Sequence, residues 1–212
     1  MVSETFMTML IVLDLALLSI SLLNTGIMVV GLQGILLGLF VISSHVNALS
    51  VRLVIIACVG IAIKGFVFPL LLRRAVKEAG IQREIRPFVG ASLSLLIGVA
   101  MLFAALWIGS KISLKGIIDV PFAVPASFMT MFTGLFLVIA RKTALTQCIG
   151  YIVFENGIYA FGVAAVGQTP LLVELGLLLD AFVGVFVMGI AIYHINHEFD
   201  SMDATELSSL KG

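Results

Sequence analysis

The chain has 212 residues, of which 61% are hydrophobic and 11% charged, less than half the roughly 25% charge of a soluble domain. A mean hydropathy of +1.21 excludes a soluble globule. The balance of 12 basic and 12 acidic residues excludes the basic surface that a nucleic-acid partner requires.

The apolar runs are continuous rather than alternating, and backbone groups in lipid must be satisfied within their own segment, so helices are predicted over a barrel. Crossing the hydrocarbon layer takes about 20 helical residues. Seven such helices are predicted: Glu4 to Leu23, Gly26 to His45, Val51 to Leu72, Pro87 to Gly109, Pro121 to Ala140, Leu145 to Val166 and Pro170 to Tyr193. The cuts fall at Asn24-Thr25-Gly26, at Ser43-Ser44-His45, in the charged stretch Arg73 to Arg86, at Lys111 to Asp119, at Arg141-Lys142-Thr143 and at Gly167-Gln168-Thr169-Pro170. The first run has no Lys or Arg before it and no small-residue cleavage site, so it is read as a helix and not as a signal peptide. The expected fold class is all-α, a polytopic integral membrane protein with about seven transmembrane helices.

Lys and Arg set orientation. One side receives Arg73, Arg74, Lys77, Arg83, Arg86, Arg141, Lys142 and Lys211, and the other Arg52, Lys111 and Lys115. The C-terminus is therefore expected in the cytoplasm, with the chain in the cytoplasmic (inner) membrane. Gly34 and Gly38 form a GxxxG pair that predicts close helix packing. The loop RRAVKEAGIQREIR, 73–86, is either a solvated loop beside phospholipid headgroups or a docking surface for a peripheral subunit. Cys58 and Cys148 stand far apart in apolar runs without a CxxC pair, which predicts buried packing thiols and no metal or cofactor site. His194 and His197 complete the last helix electrostatically, and His45 and Arg52 anchor a loop at the interface.

Five charged residues fall inside the predicted spans: Asp14, Lys64, Glu155, Glu174 and Asp180. Each costs at least about 2.5 to 3.5 kcal/mol if it sits near the bilayer centre. All but Glu174 fall near the middle of their spans. Glu155 lies thirteen residues before Gln168 and Asp180 twelve after it, so in an antiparallel hairpin the two carboxylates are level. Glu174, six residues from Asp180 and about 9 Å along the axis, reads as an entrance or interface group. Burial tunes the ionisation of carboxylates and amines, which is what a proton relay needs. The competing interpretation is a structural ion pair of Lys64 with Asp14 or Glu155 that fixes helix register.

The segments ARKTALTQCIGYIVFENGIY, 140–159, and TPLLVELGLLLDAFVGVFVMGIAIYHI, 169–195, together with the terminal FDSMD and LKG, resemble component E of the hydrogenase-4 type formate hydrogenlyase complexes. The last three helices resemble more distantly the K-type membrane subunit of complex I and its counterpart in Mrp-type sodium/proton antiporters. Ile149-Gly150 matches the K-type Ile-Gly, Glu155 stands about one turn after the first K-type acid, and Asp180 occupies the second as Asp instead of Glu. Lys64 and Asp14 have no K-type counterpart. The resemblance implies a four-helix N-terminal extension over 1–115, a three-helix K-type-like unit over 116–195 and a polar cytoplasmic tail over 196–212.

The family further implies a membrane-arm subunit with no cofactor of its own. Antiporter-like and H-type membrane subunits would be its neighbours, beside a soluble hydrogenase arm that carries a nickel–iron centre and iron–sulfur clusters. The expected function is a contribution to lateral proton translocation and to assembly of an oxidoreductase complex, with Glu155, Asp180, Lys64, Asp14 and Glu174 as proton-path candidates. The alternatives are a subunit of a multisubunit sodium/proton antiporter and a purely structural membrane spacer.

Overall fold

A computed structural model describes residues 2–44, 51–78, 89–112 and 122–166, and these are helical with short connections. The helices are α1 (Val2–Ser19), α2 (Leu23–Ser44), α3 (Val51–Ala62), α4 (Phe68–Glu78), α5 (Ala91–Lys111), α6 (Ala123–Ala140) and α7 (Ala144–Val166). Six of the seven predicted spans have helical counterparts with ends shifted by a few residues. The seventh, Pro170 to Tyr193, and the polar tail lie outside the described residues, as do His45, His194 and His197. Among the described residues α2, α5 and α6 are long and apolar enough to cross a membrane.

The third predicted span is divided. Between α3 and α4 the backbone widens into a π turn, Ile63–Val67, in which the Phe68 N–H bonds the Ile63 carbonyl. Pro69 supplies a reason: it has no N–H to return to the carbonyl of Gly65, and its ring crowds that carbonyl in a regular helix. A π turn relieves both problems at the cost of one helical register. Beyond it α4 turns amphipathic, burying Leu72, Ala75 and Val76 while Arg73, Arg74 and Lys77 are exposed.

Two close helix contacts organise the bundle. On α2, Gly34 faces the π turn, where a Cβ would stand 2.6 Å from Lys64 Cβ and 2.9 Å from its carbonyl carbon. Gly38 meets Ile61 in the same groove, so the GxxxG pair packs as expected. The α6–α7 hairpin is tighter still: a Cβ on Gly134 would meet the backbone of Phe154 and the Gly150 carbonyl oxygen. Its turn is closed by Thr143, whose hydroxyl accepts from the Thr146 N–H at 3.4 Å, and by Gln147 Nε2 donating to the Arg141 carbonyl at 3.1 Å. Arg141 is buried and donates from Nη2 to the Leu18 carbonyl at 3.2 Å, at the end of α1.

The apolar core has two parts. One gathers Leu17 and Leu18 of α1, Leu23, Ile27 and Val30 of α2, Leu72 of α4 and residues Leu145 to Val153 of α7. The other joins Met7 and Leu10 of α1, Leu37 and Phe40 of α2, and Ala160 and Ala164 of α7. Along α1, α2 and α7 the interval between the two clusters contains Asp14, Gln33 and Glu155-Asn156, all buried. A polar layer therefore interrupts the core at mid-height.

At the periphery, α5 buries only Ser94, Gly98 and Ala105. Its Leu96, Phe103 and Trp107 are exposed, as lipid-facing side chains would be. Cys148 is buried as predicted, whereas Cys58 is exposed on α3, because the packed face of that helix runs through Ala57 and Ile61 instead.

Candidate functional site

The π turn sets the position of Lys64. Its backbone is pressed against Gly34, and the side chain, 5% exposed as a residue, crosses to α7 with the ammonium 2.7 Å from Glu155 Oε1. Nζ also donates to Asn156 Oδ1 at 3.4 Å and stands 5.1 Å from the centroid of the Tyr159 ring. Glu155 and Tyr159 are one turn apart on α7, so a carboxylate and an aromatic face flank the same cation. Close approach of α2 to the π turn directs the lysine inward, where its three donors meet acceptors that solvent does not reach.

Such a pair is expensive to assemble, because desolvating each ion costs several kcal/mol and only a short, well-partnered contact repays it. Transfer of one proton from Nζ to Oε1 would turn two buried charges into a neutral amine and a neutral acid. The pair can therefore change its charge distribution without exchanging a proton with bulk water. That is the chemistry the arrangement permits: storage and hand-over of a proton inside the apolar core.

Asp14 belongs to a second centre. Its Oδ1 accepts from Gln33 Nε2 at 2.8 Å, and its Oδ2 lies 2.7 Å from Thr130 Oγ1. This ties α1 to α2 and α6. Of the two partners the sequence left open for Lys64, the structure selects Glu155. Glu174 and Asp180 lie outside the described residues, so the predicted facing of Glu155 and Asp180 belongs to the proposal below.

Four contributors were not singled out from the sequence: Gln33, Thr130, Asn156 and Tyr159. Gln33 carries the clearest signal, as an amide in the middle of a 22-residue apolar helix. Among the described residues no group of three or more His, Cys, Asp or Glu could hold a metal ion.

Comparison with known proteins gives two tiers of similarity. The chain is 34% identical over 153 residues to an uncharacterized protein of Mycobacterium tuberculosis, Rv0085, a match covering 71% of this chain and 69% of that protein. It is 22% identical over 149 residues to hydrogenase-4 component E of Escherichia coli K12, covering 70% of this chain and 69% of the relative. The component of the same name in Shigella flexneri matches equally. No protein-family model matches the chain, and no solved structure matches it.

Proposed function

The chain belongs to the family of the mycobacterial protein Rv0085 and is a distant homologue of hydrogenase-4 component E, and from that membership we propose that it is a membrane-arm subunit of a hydrogenase-type complex that passes protons laterally. The observation that carries this reading is the Lys64–Glu155 pair, 2.7 Å long and buried between two apolar clusters. Glu155 and Lys64 are the relay groups, Asn156 holds the ammonium when the pair opens, and Asp180 continues the path. Redox work in a soluble arm with nickel–iron and iron–sulfur centres would shift the pair between its ionic and neutral forms. Antiporter-like and H-type subunits in the cytoplasmic membrane would supply and receive the proton, as in formate hydrogenlyase and the complex I relatives.

The test has two parts. Gentle solubilisation from the native membrane should co-purify a nickel–iron large subunit together with antiporter-like subunits. In that complex, Glu155→Gln combined with Asp180→Asn should leave assembly and electron transfer intact and abolish proton movement into vesicles. Unchanged pumping by the double variant would overturn the relay. Loss of the complex with no uncoupled intermediate would reduce the pair to a structural lock.

A further inference from the structure

Asp14 is the buried ionisable group that the Lys64–Glu155 relay leaves unused. It is fully enclosed, and among the described residues no cationic side chain is paired with it. A carboxylate so placed stays charged only beside a positive partner and otherwise takes up a proton, since an isolated buried charge costs far more than a fold can spare.

The hydroxyl of Thr130 shows where that partner would sit. Its single hydrogen is within reach of the Ala126 carbonyl at 2.9 Å and of Asp14 Oδ2 at 2.7 Å, and it can serve only one of them. Serine and threonine on apolar helices commonly donate back to the carbonyl four residues earlier. When Thr130 does so, its oxygen and Asp14 Oδ2 face each other as two acceptors with no hydrogen between them.

Two more buried oxygens belong to the helices that hold Asp14, one on α2 and one on α6. Gln33 Oε1 and Thr133 Oγ1 are buried and, among the described residues, have no hydrogen-bond partner. Oε1 belongs to the amide that touches Asp14 through Nε2, and a half-turn of that amide exchanges the two atoms. Thr133 follows Thr130 by three residues, on the adjoining face of α6.

We propose that Asp14, Gln33, Thr130 and Thr133 form a sodium-binding site. The donors are a carboxylate, an amide carbonyl and two hydroxyls, all hard oxygens, the set that takes hard cations over soft metals. The site supplies one negative charge, which a monovalent ion neutralises and a divalent ion would reverse. Binding turns the Gln33 oxygen inward and leaves Thr130 donating to Ala126, so the two unpartnered oxygens of the cluster gain a partner in place of the Gln33–Asp14 hydrogen bond. The site stands apart from the Lys64–Glu155 pair, and either reading can fail without the other.

The test is thermal unfolding of the purified full-length chain in detergent, titrated with sodium, potassium or choline chloride at constant ionic strength. Sodium should raise the midpoint saturably, on the order of 5 °C near saturation, with potassium and choline far less effective. Asp14→Asn should abolish the sodium response, and Thr133→Val should shift its half-saturation upward about tenfold while leaving the midpoint in choline within about 2 °C. Retention of the sodium-22 bound by the wild type would be lost in the same order. Identical sodium and choline titrations of the wild type overturn the proposal, as does a midpoint that responds to acid and ignores sodium. If Asp14→Asn does not fold, a Thr133→Val variant with wild-type sodium affinity overturns the proposed donor set.

Discussion

Lys64→Met retains most of the aliphatic stem that packs against Gly34 and removes the ammonium, leaving Glu155 buried opposite a thioether. At 2.7 Å and an effective dielectric of about 20, the lost attraction is on the order of 6 kcal/mol. Part of it was already consumed by desolvating the lysine, and truncating one member of a buried pair typically costs about 3 to 5 kcal/mol. Glu155→Leu should cost a similar amount, because it strands the lysine beside Asn156 and Tyr159. The double variant removes both charges and should recover most of the loss, giving a coupling energy of at least about 2 kcal/mol between the two sites. The assay is reversible denaturant unfolding in mixed micelles, run on wild type, both single variants and the double. Single effects below about 1 kcal/mol that simply add would refute the pair as a tightly coupled unit, and the argument for a buried relay would fall with it.

Two further outcomes follow from the packing. Gly134→Val places a side chain against the backbone of Phe154 and Gly150, where no flexible group can yield; it should cost about 3 kcal/mol or more, read as a lowered unfolding midpoint or loss of folded protein, whereas Gly60→Ala, at a position whose added Cβ meets nothing, should stay within about 0.5 kcal/mol of wild type. An apolar organomercurial should label exposed Cys58 at least about tenfold faster than buried Cys148, with the two rates converging on denaturation.

Helix positions were legible in the sequence because lipid leaves the backbone few options, and the described helices appear where apolar runs and their polar punctuation place them. Lys64 and Glu155 were legible as buried charges and as one of two possible ion pairs, but which carboxylate meets the lysine was not. Counting residues from a helix end gives height in the bundle; azimuth, which decides whether Lys64 meets Asp14 or Glu155, depends on how neighbouring helices rotate. Here the rotation follows from Gly34 against the π turn and Gly134 against α7, long-range contacts that no local pattern encodes. Pro69 stands inside an apolar run that reads as one continuous span, because membrane helices tolerate proline, and the π turn before it appears only in the structure. The uncharged members Gln33, Thr130 and Asn156 escaped notice for another reason: lone amides and hydroxyls are tolerated in membrane helices, so their presence alone points nowhere until a charged partner is placed beside them.

The two polar centres share one helix. Gln33 holds Asp14, and the next residue, Gly34, receives the backbone of Lys64. Consecutive residues on a helix point about 100° apart, so α2 presents one centre toward α1 and the other toward the π turn. Its contacts are stiff on one side, where glycine meets backbone, and softer on the other, where a side-chain amide meets a carboxylate. A displacement of α2 that lengthens the Gln33–Asp14 contact also slides Gly34 along the π turn and moves the root of the Lys64 side chain. Lys64 sits in the π turn, the irregular segment of its span, whereas Glu155 and Asn156 sit on the α6–α7 hairpin, where glycine meets backbone. A change at the Asp14 centre that moved α2 would therefore reach the Lys64–Glu155 distance through a single helix, without a chain of intermediate side chains.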